Sequence, residues 1–268
     1  ADNLPSSKDQ VLAEIGDVDV LIMRVDPKID KDIIDAAKNL KIIGVCSVGL
    51  NHIDMDYAKE KGIQIFNAPG LNANAVAELT ISKMLDISRG TMTANTDVKV
   101  KHEWDKYKFV GRELRGKTLG VMGFGRIGRR VGELGRAFGM TVVAYDPFLK
   151  AEDFEKEHAT GMSIDELLKA ADFVSIHVPL TPETKDLFNA KSIAEMKDDA
   201  VVLNMSRGGI VNEKDMYEAL KAGKIGGYAT DVMENELAGS GLTGNDTFAS
   251  PLFECDNFIV PRTSEHSL

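Results

Sequence analysis

Apolar residues in this chain fall into two alternating patterns. Short, mostly apolar runs occur at residues 18–23, 40–46, 63–66, 118–122, 141–145, 173–177, 200–204, 227–231 and 257–260. Runs of that length, rich in Val and Ile, predict strands covered on both faces. Between them the apolar positions recur every three or four residues. Such spacing predicts helices from a Ser6/Ser7 cap to about Ile15, and over 30–39 (with Ile33, Ile34 and Ala37 inward), 55–61 and 74–89. It continues in Ile127, Val131, Leu134 and Phe138, then over 163–170, 190–196 and 213–222. Strand and helix taking turns predict parallel βα units. Residues 91–115, with the single Trp (Trp104), show neither pattern and predict an irregular connection.

One junction of strand and helix has unusual composition. After the run at 118–122 come Gly123, Gly125 and Gly128, and the helical spacing starts immediately. The spacing G-x-G-x-x-G in that context is a dinucleotide-binding fingerprint. The first glycine allows the tight turn and the second lets backbone N–H groups approach a pyrophosphate. The third lets the helix lie close on the strand, and the helix start faces the phosphates. With 24 glycines in 268 residues the pattern alone is weak. Asp146 strengthens it: it ends the next strand 18 residues beyond Gly128, near the roughly 20 expected of a ribose-binding acid. A carboxylate there favours NAD over NADP.

Composition narrows the partners. Hydrophobic residues make up 43% and charged residues 28%, ordinary for a globular chain. The net charge of −10 is spread out, which argues against nucleic acid. Cys46 and Cys255 are far apart and lack metal-ligand spacing, so no metal site is expected and reduced thiols in a cytoplasmic protein are the simplest reading. No apolar run reaches membrane-spanning length.

In an open parallel sheet, ligands bind beyond the C-terminal strand ends. Those ends carry Arg24, the 47–49 turn, His177, Ser206-Arg207-Gly208-Gly209, Asp231 and the Glu234/Glu236 pair. Each has an ordinary alternative. His177 can pack on Pro179 or lie against a cofactor, and Asp231 can cap a turn or accept from a nicotinamide carboxamide. Arg24 can be a free surface charge, and only one of Glu234 and Glu236 is expected to matter.

Taken together, 45–54, Asn67-Ala-Pro-Gly70 with Ala75-Val-Ala-Glu78, 114–128, Tyr145-Asp-Pro147, 177–184, 206–211 and Asp231-Val232 resemble, in order, the D-2-hydroxyacid dehydrogenase family, which includes 3-phosphoglycerate dehydrogenase. The resemblance implies an α/β fold: a Rossmann-type doubly wound parallel sheet, with a second, incomplete flavodoxin-like substrate domain and the reaction between the two. The expected division is 1–90 substrate-binding, 91–116 connection, 117–262 NAD-binding and 263–268 tail. It also implies NAD as cofactor, a small 2-hydroxy or 2-keto acid as substrate, and a homodimer. Arg207 would grip the substrate carboxylate and carbonyl oxygen, and Glu236 would hold a catalytic imidazole protonated. Arg24, Val48, Gly49 and Asn72 fall at substrate-binding positions. Gly123, Gly125, Arg126, Ile127, Gly128, Asp146, His177, Pro179, Thr184, Met205, Ser206 and Asp231 fall at cofactor-binding ones.

The chain also departs from that family. Where a Pro-His pair is expected it has Pro261-Arg262. An Arg does not release its proton, and His266, four residues on, is a weak substitute, so impaired activity is expected. Leu237 replaces the usual Pro after Glu236, and Asp26 beside Arg24 has the wrong sign for a phosphate site. Relative to the family both ends look truncated, leaving the first unit without part of its sheet.

Overall fold

The computed structural model describes residues 7–24, 26–47, 49–50, 52–105, 107–234 and 249–260. The chain divides into two compact units that adjoin in sequence at Asn72 and Ala73.

The first unit begins with α1 (Lys8–Glu14), where Ser7 and Gln10 exchange side-chain and backbone hydrogen bonds in a capping box. It continues through β1 (Val20–Met23), α2 (Lys31–Ala36), β2 (Ile42–Val45), α3 (Met55–Glu60) and β3 (Gln64–Asn67). The strands pair in parallel in the order β1-β2-β3. Met23, Ile43 and Val45 bury one face with Ile33, Ile34 and Ala58. Side chains alternate along a strand, so Ile22 and Phe66, flanking Gly44 in register, share the other face. They are 72% and 56% exposed.

The second unit opens with α4 (Ala73–Arg89) and α5 (Thr91–Lys99). It proceeds through β4 (Thr118–Met122), α6 (Arg126–Ala137), β5 (Thr141–Tyr145), α7 (Ala151–Lys156), β6 (Thr160–Gly161), α8 (Ile164–Ala170) and β7 (Phe173–Ile176). Then come α9 (Ala190–Glu195), β8 (Ala200–Asn204), α10 (Glu213–Lys221), β9 (Ile225–Thr230) and β10 (Phe258–Ile259). The seven strands run β10-β9-β8-β7-β4-β5-β6, each pair parallel. The chain leaves β4 toward β5 and returns to β7 on its other side, so strand order reverses at β4. Leu119 and Val121 share one core with Val131 of α6, while Met122 shares the other with Leu167 and Leu168 of α8. Helices therefore cover both faces, as a doubly wound sheet requires.

Four elements depart from the expected pattern. Helix α4 packs with the second unit, not the first: its buried Val76, Ala77, Ile81 and Met84 share a core with Leu119 and Val131. The compact units thus part before this helix, whereas the sequence places the break after residue 90. Helix α5 occupies part of the stretch expected to be irregular. It buries a charge, not an apolar stripe: Asp97 is 2% exposed, pairing with Lys101 at 2.8 Å and with Lys108. Helix α7 and strand β6 are additional short elements, too brief to register as a period.

Candidate functional site

The glycine turn joins β4 to α6, and each glycine has a distinct spatial reason. Gly123 has φ +87°, and a Cβ there would lie 2.7 Å from the His177 carbonyl oxygen. A Cβ on Gly128 would lie 2.1 Å from the Gly123 oxygen, so only glycine lets α6 approach β4 this closely. A Cβ on Gly125 would meet nothing within 4 Å; the space over it is open. Gly125 is also the N-cap of α6, and no side chain caps that end. The first turn of α6, with exposed Arg126 and half-buried Ile127, therefore starts beside that open space, the arrangement an anion at a helix start requires.

Asp146 follows β5 and closes the turn from the side. Its Oδ2 accepts from the Phe124 N–H at 2.9 Å and its Oδ1 from the Phe148 N–H at 3.0 Å. Phe124 is fully buried, so the carboxylate is fixed relative to the glycine loop. An open cradle at Gly125, an uncapped helix end and a carboxylate anchored beside them fit an adenine dinucleotide.

Backbone bonds tie the neighbouring strand ends into one rim. The Gly123 N–H donates to Tyr145 O at 2.8 Å, that of His177 to Met122 O at 2.7 Å, and that of Asp231 to Asn204 O at 3.3 Å. Gly123, Asp146, His177, Met205, Ser206, Arg207 and Asp231 thus all lie at C-terminal ends of adjacent strands. At His177, Nε2 is 2.7 Å from the Ser175 hydroxyl, and Nδ1 is sealed from solvent without a hydrogen-bond partner among the described residues. Burial pushes this imidazole down to about 3, so it is neutral at physiological pH. Thr184 is committed to its own loop, donating to Pro179 O at 2.6 Å and accepting from the Thr181 N–H at 2.7 Å. Met205 is buried. Arg207 is exposed and its guanidinium donates to Ser206 O at 2.6 Å.

Glu234 has a structural task. Its N–H donates to the Glu213 carboxylate at 2.6 Å, and its Oε1 accepts from the Glu213 N–H at the start of α10 at 3.3 Å. Burial pushes the Glu213 carboxyl up, and the charge on Glu234 adds to that. Glu236, Leu237, Arg262 and His266 lie outside the described residues.

In the first unit Arg24 follows β1 and is exposed. The 47–49 turn follows β2, where the Ser47 hydroxyl donates to Gly49 O at 3.0 Å; Val48 is outside the described residues. His52 is an unforeseen member of this end. Its ring is hydrogen-bonded to the Arg24 backbone, and burial holds its pKa below the usual histidine range. Asn72 Oδ1 is buried without a hydrogen-bond partner among the described residues. Sequence reasoning also passed over Asn204, which looks like one more strand residue but is a buried amide. Among the described residues no group of His, Cys, Asp or Glu is arranged to hold a metal ion, and no helix is long and apolar enough to cross a membrane.

Comparison with known proteins agrees with this geometry. Residues 81–261 match the family model described as "D-isomer specific 2-hydroxyacid dehydrogenase, NAD binding domain". A D-3-phosphoglycerate dehydrogenase of Methanocaldococcus jannaschii is 45% identical over 231 residues, covering 86% of this chain but only 44% of its own length. A hydroxypyruvate reductase of Thermotoga maritima is 44% identical over 253 residues, covering 94% of this chain and 79% of its own. Among solved structures, D-lactate dehydrogenase from Aquifex aeolicus, complexed with NAD and lactic acid, superposes with a TM-score of 0.77 at 33% identity, covering 98% of this chain and 78% of its own. The chain thus spans less than half of the phosphoglycerate dehydrogenase it matches. A glycine turn, an anchored acid and a rim of strand ends, matched by that family model over 81–261, make one assignment: the chain belongs to the D-isomer specific 2-hydroxyacid dehydrogenases, whose NAD binding domain it contains.

Proposed function

We propose that this protein binds NAD(H) and interconverts a D-2-hydroxy acid and its 2-keto acid. The observation that carries the reading is the glycine turn, open over Gly125 and held to the Asp146 carboxylate through the Phe124 N–H. The α6 N-terminus and the N–H groups around Gly125 receive the pyrophosphate. Asp146 accepts from ribose hydroxyls and repels a 2′-phosphate, which selects NAD. His177, Pro179, Thr184, Met205, Ser206 and Asp231 form the rim at the nicotinamide and adenine portions. NAD, when bound, supplies the hydride acceptor, and NADH the donor. Arg207 grips the substrate carboxylate through its guanidinium fork. Arg24, Val48, Gly49 and Asn72 make up the substrate side, and Glu236 is the acid that orients a proton-carrying group.

Arg262 supports a narrower reading, in which dinucleotide binding outlasts turnover. It stands where the family's His is expected, and loss of a general acid–base typically costs about 10²–10⁴-fold in rate. Titration with NADH, followed by hydroxypyruvate, glyoxylate and phosphohydroxypyruvate on the same sample, tests both. The expected result is saturable NADH binding with turnover far below roughly 10 per second. Turnover at that ordinary rate would refute the impaired reading, and absence of NADH binding by folded protein would refute the whole assignment.

A homodimer is part of this proposal. Trp104 and Val110, 85% and 88% exposed, are apolar side chains suited to a second copy. Free Cys46 and Cys255 support a reducing, cytoplasmic setting.

A further inference from the structure

We propose that Asn204 is the positioning residue that sets Arg207 for substrate, a role that rests on the reading of Arg207 as the carboxylate grip. Asn204 ends β8 and is 1% exposed, and a buried amide is costly unless its groups are paired. Its pairing is directional. Nδ2 donates to the Arg207 carbonyl at 2.9 Å, while Oδ1 accepts from the Ser206 N–H at 3.1 Å and the Ser206 hydroxyl at 2.9 Å. One side chain thereby closes the 204–207 turn from within and fixes the backbone on both sides of Arg207.

The β8 end that carries this turn is anchored to β9. The Thr230 hydroxyl donates to the Asn204 carbonyl at 2.9 Å, and the buried Tyr228 hydroxyl is hydrogen-bonded to Thr230 and Asn204. On the far side a Cβ on Gly208 would lie 2.1 Å from Met233 O, so the following residue is pressed against the 231–234 turn. Arg207 itself is exposed, and among the described residues its guanidinium donates to its neighbour's carbonyl. Its direction is therefore inherited from the backbone that Asn204 holds. An amide is required: a carboxylate of the same shape keeps the contacts to Ser206 but turns an oxygen toward the Arg207 carbonyl.

N204D tests this in the full chain, with T230V as a control of comparable burial that removes the Thr230 hydroxyl's bonds to the Asn204 and Val232 backbones and leaves the Asn204 amide. Two readouts are taken. Without cofactor, amide exchange of the 205–209 segment rises at least about tenfold in N204D. With NADH bound, oxamate, a carboxylate-bearing analogue of a 2-keto acid, binds about ten- to a hundredfold more weakly to N204D, while NADH affinity stays within about threefold. T230V lowers Tm yet keeps oxamate affinity within about threefold. Unchanged exchange or unchanged oxamate affinity in N204D overturns the proposal, as does equal loss of oxamate binding in T230V. R207A separates the two layers. If it binds oxamate like the parent protein, the Arg207 reading fails and the proposal with it; if it loses oxamate while N204D keeps it, only the Asn204 role fails.

Discussion

Single residues at the glycine turn separate binding from folding. Gly125 has ordinary φ and open space around its missing Cβ. G125A is therefore expected to fold with unchanged Tm and to lose NADH affinity at least about tenfold, because the added methyl occupies the cradle; isothermal titration beside a thermal melt reads both. His177 makes a pH signature. Its imidazole titrates at about 3 in the folded chain against about 6.5 when unfolded, so below pH 6.5 the unfolded chain binds the extra proton. Stability due to this group is present above pH 6.5 and is lost as pH falls toward 3, by at most about 1.4 kcal/mol per pH unit. The Tm of H177Q is expected to fall less than that of the parent between pH 6.5 and 4.5, and parallel Tm–pH curves would contradict a neutral His177. Much of this was legible in the sequence, since the spacing Gly123-x-Gly125-x-x-Gly128 and Asp146 each carry a geometric demand. Asn204 was not, because a polar residue at the end of an apolar run shows its importance only when its bonds to 206 and 207 are drawn.

At the scale of elements, the approach of α6 to β4 depends on the absence of one side chain. G128A places a methyl 2.1 Å from the Gly123 oxygen, an overlap with backbone that cannot relax by rotamer change. The expected cost is about 3 kcal/mol, with Tm down by several degrees and NADH binding lost alongside. That paired loss distinguishes G128A from G125A, and a G128A chain with unchanged Tm would show that the helix can slide. The strands flanking β4 were readable because each is a mostly apolar run, and α6 because Val131 and Leu134 recur at helical spacing. Helix α5 escaped because its anchor is electrostatic: Asp97, held well below the usual carboxylate range chiefly by hydrogen bonds from Lys101 and Lys108, leaves no apolar period. Helix α4 was readable as a helix but not as a member of the second unit. Its apolar stripe identifies a buried face without naming the core that buries it.

For the whole molecule, two groups of exposed apolar side chains matter among the described residues. One is the bare face of the first unit's sheet, with Ile22 and Phe66; the other is the 100–110 stretch, with Val100, Trp104 and Val110. The second belongs to the proposed dimer. W104S is expected to shift the chain toward monomer in light scattering at micromolar concentration while leaving the Tm of dilute samples unchanged. A parent protein that is monomeric at all concentrations would remove the dimer from the proposal. Neither surface could be found from composition, because hydropathy along a strand does not tell which face another layer covers.

The closeness of Gly123 to the His177 carbonyl carries a consequence for the order in which this protein becomes competent. The glycine motif is synthesised well before the strand end that forms its floor, and β7 pairs directly with β4. A nascent chain paused on the ribosome before residue 177 already holds every letter of the fingerprint and still lacks the wall against which its turn is shaped. Cofactor capture is thus a late event in biogenesis, deferred until the chain has doubled back across its own first nucleotide-binding strand.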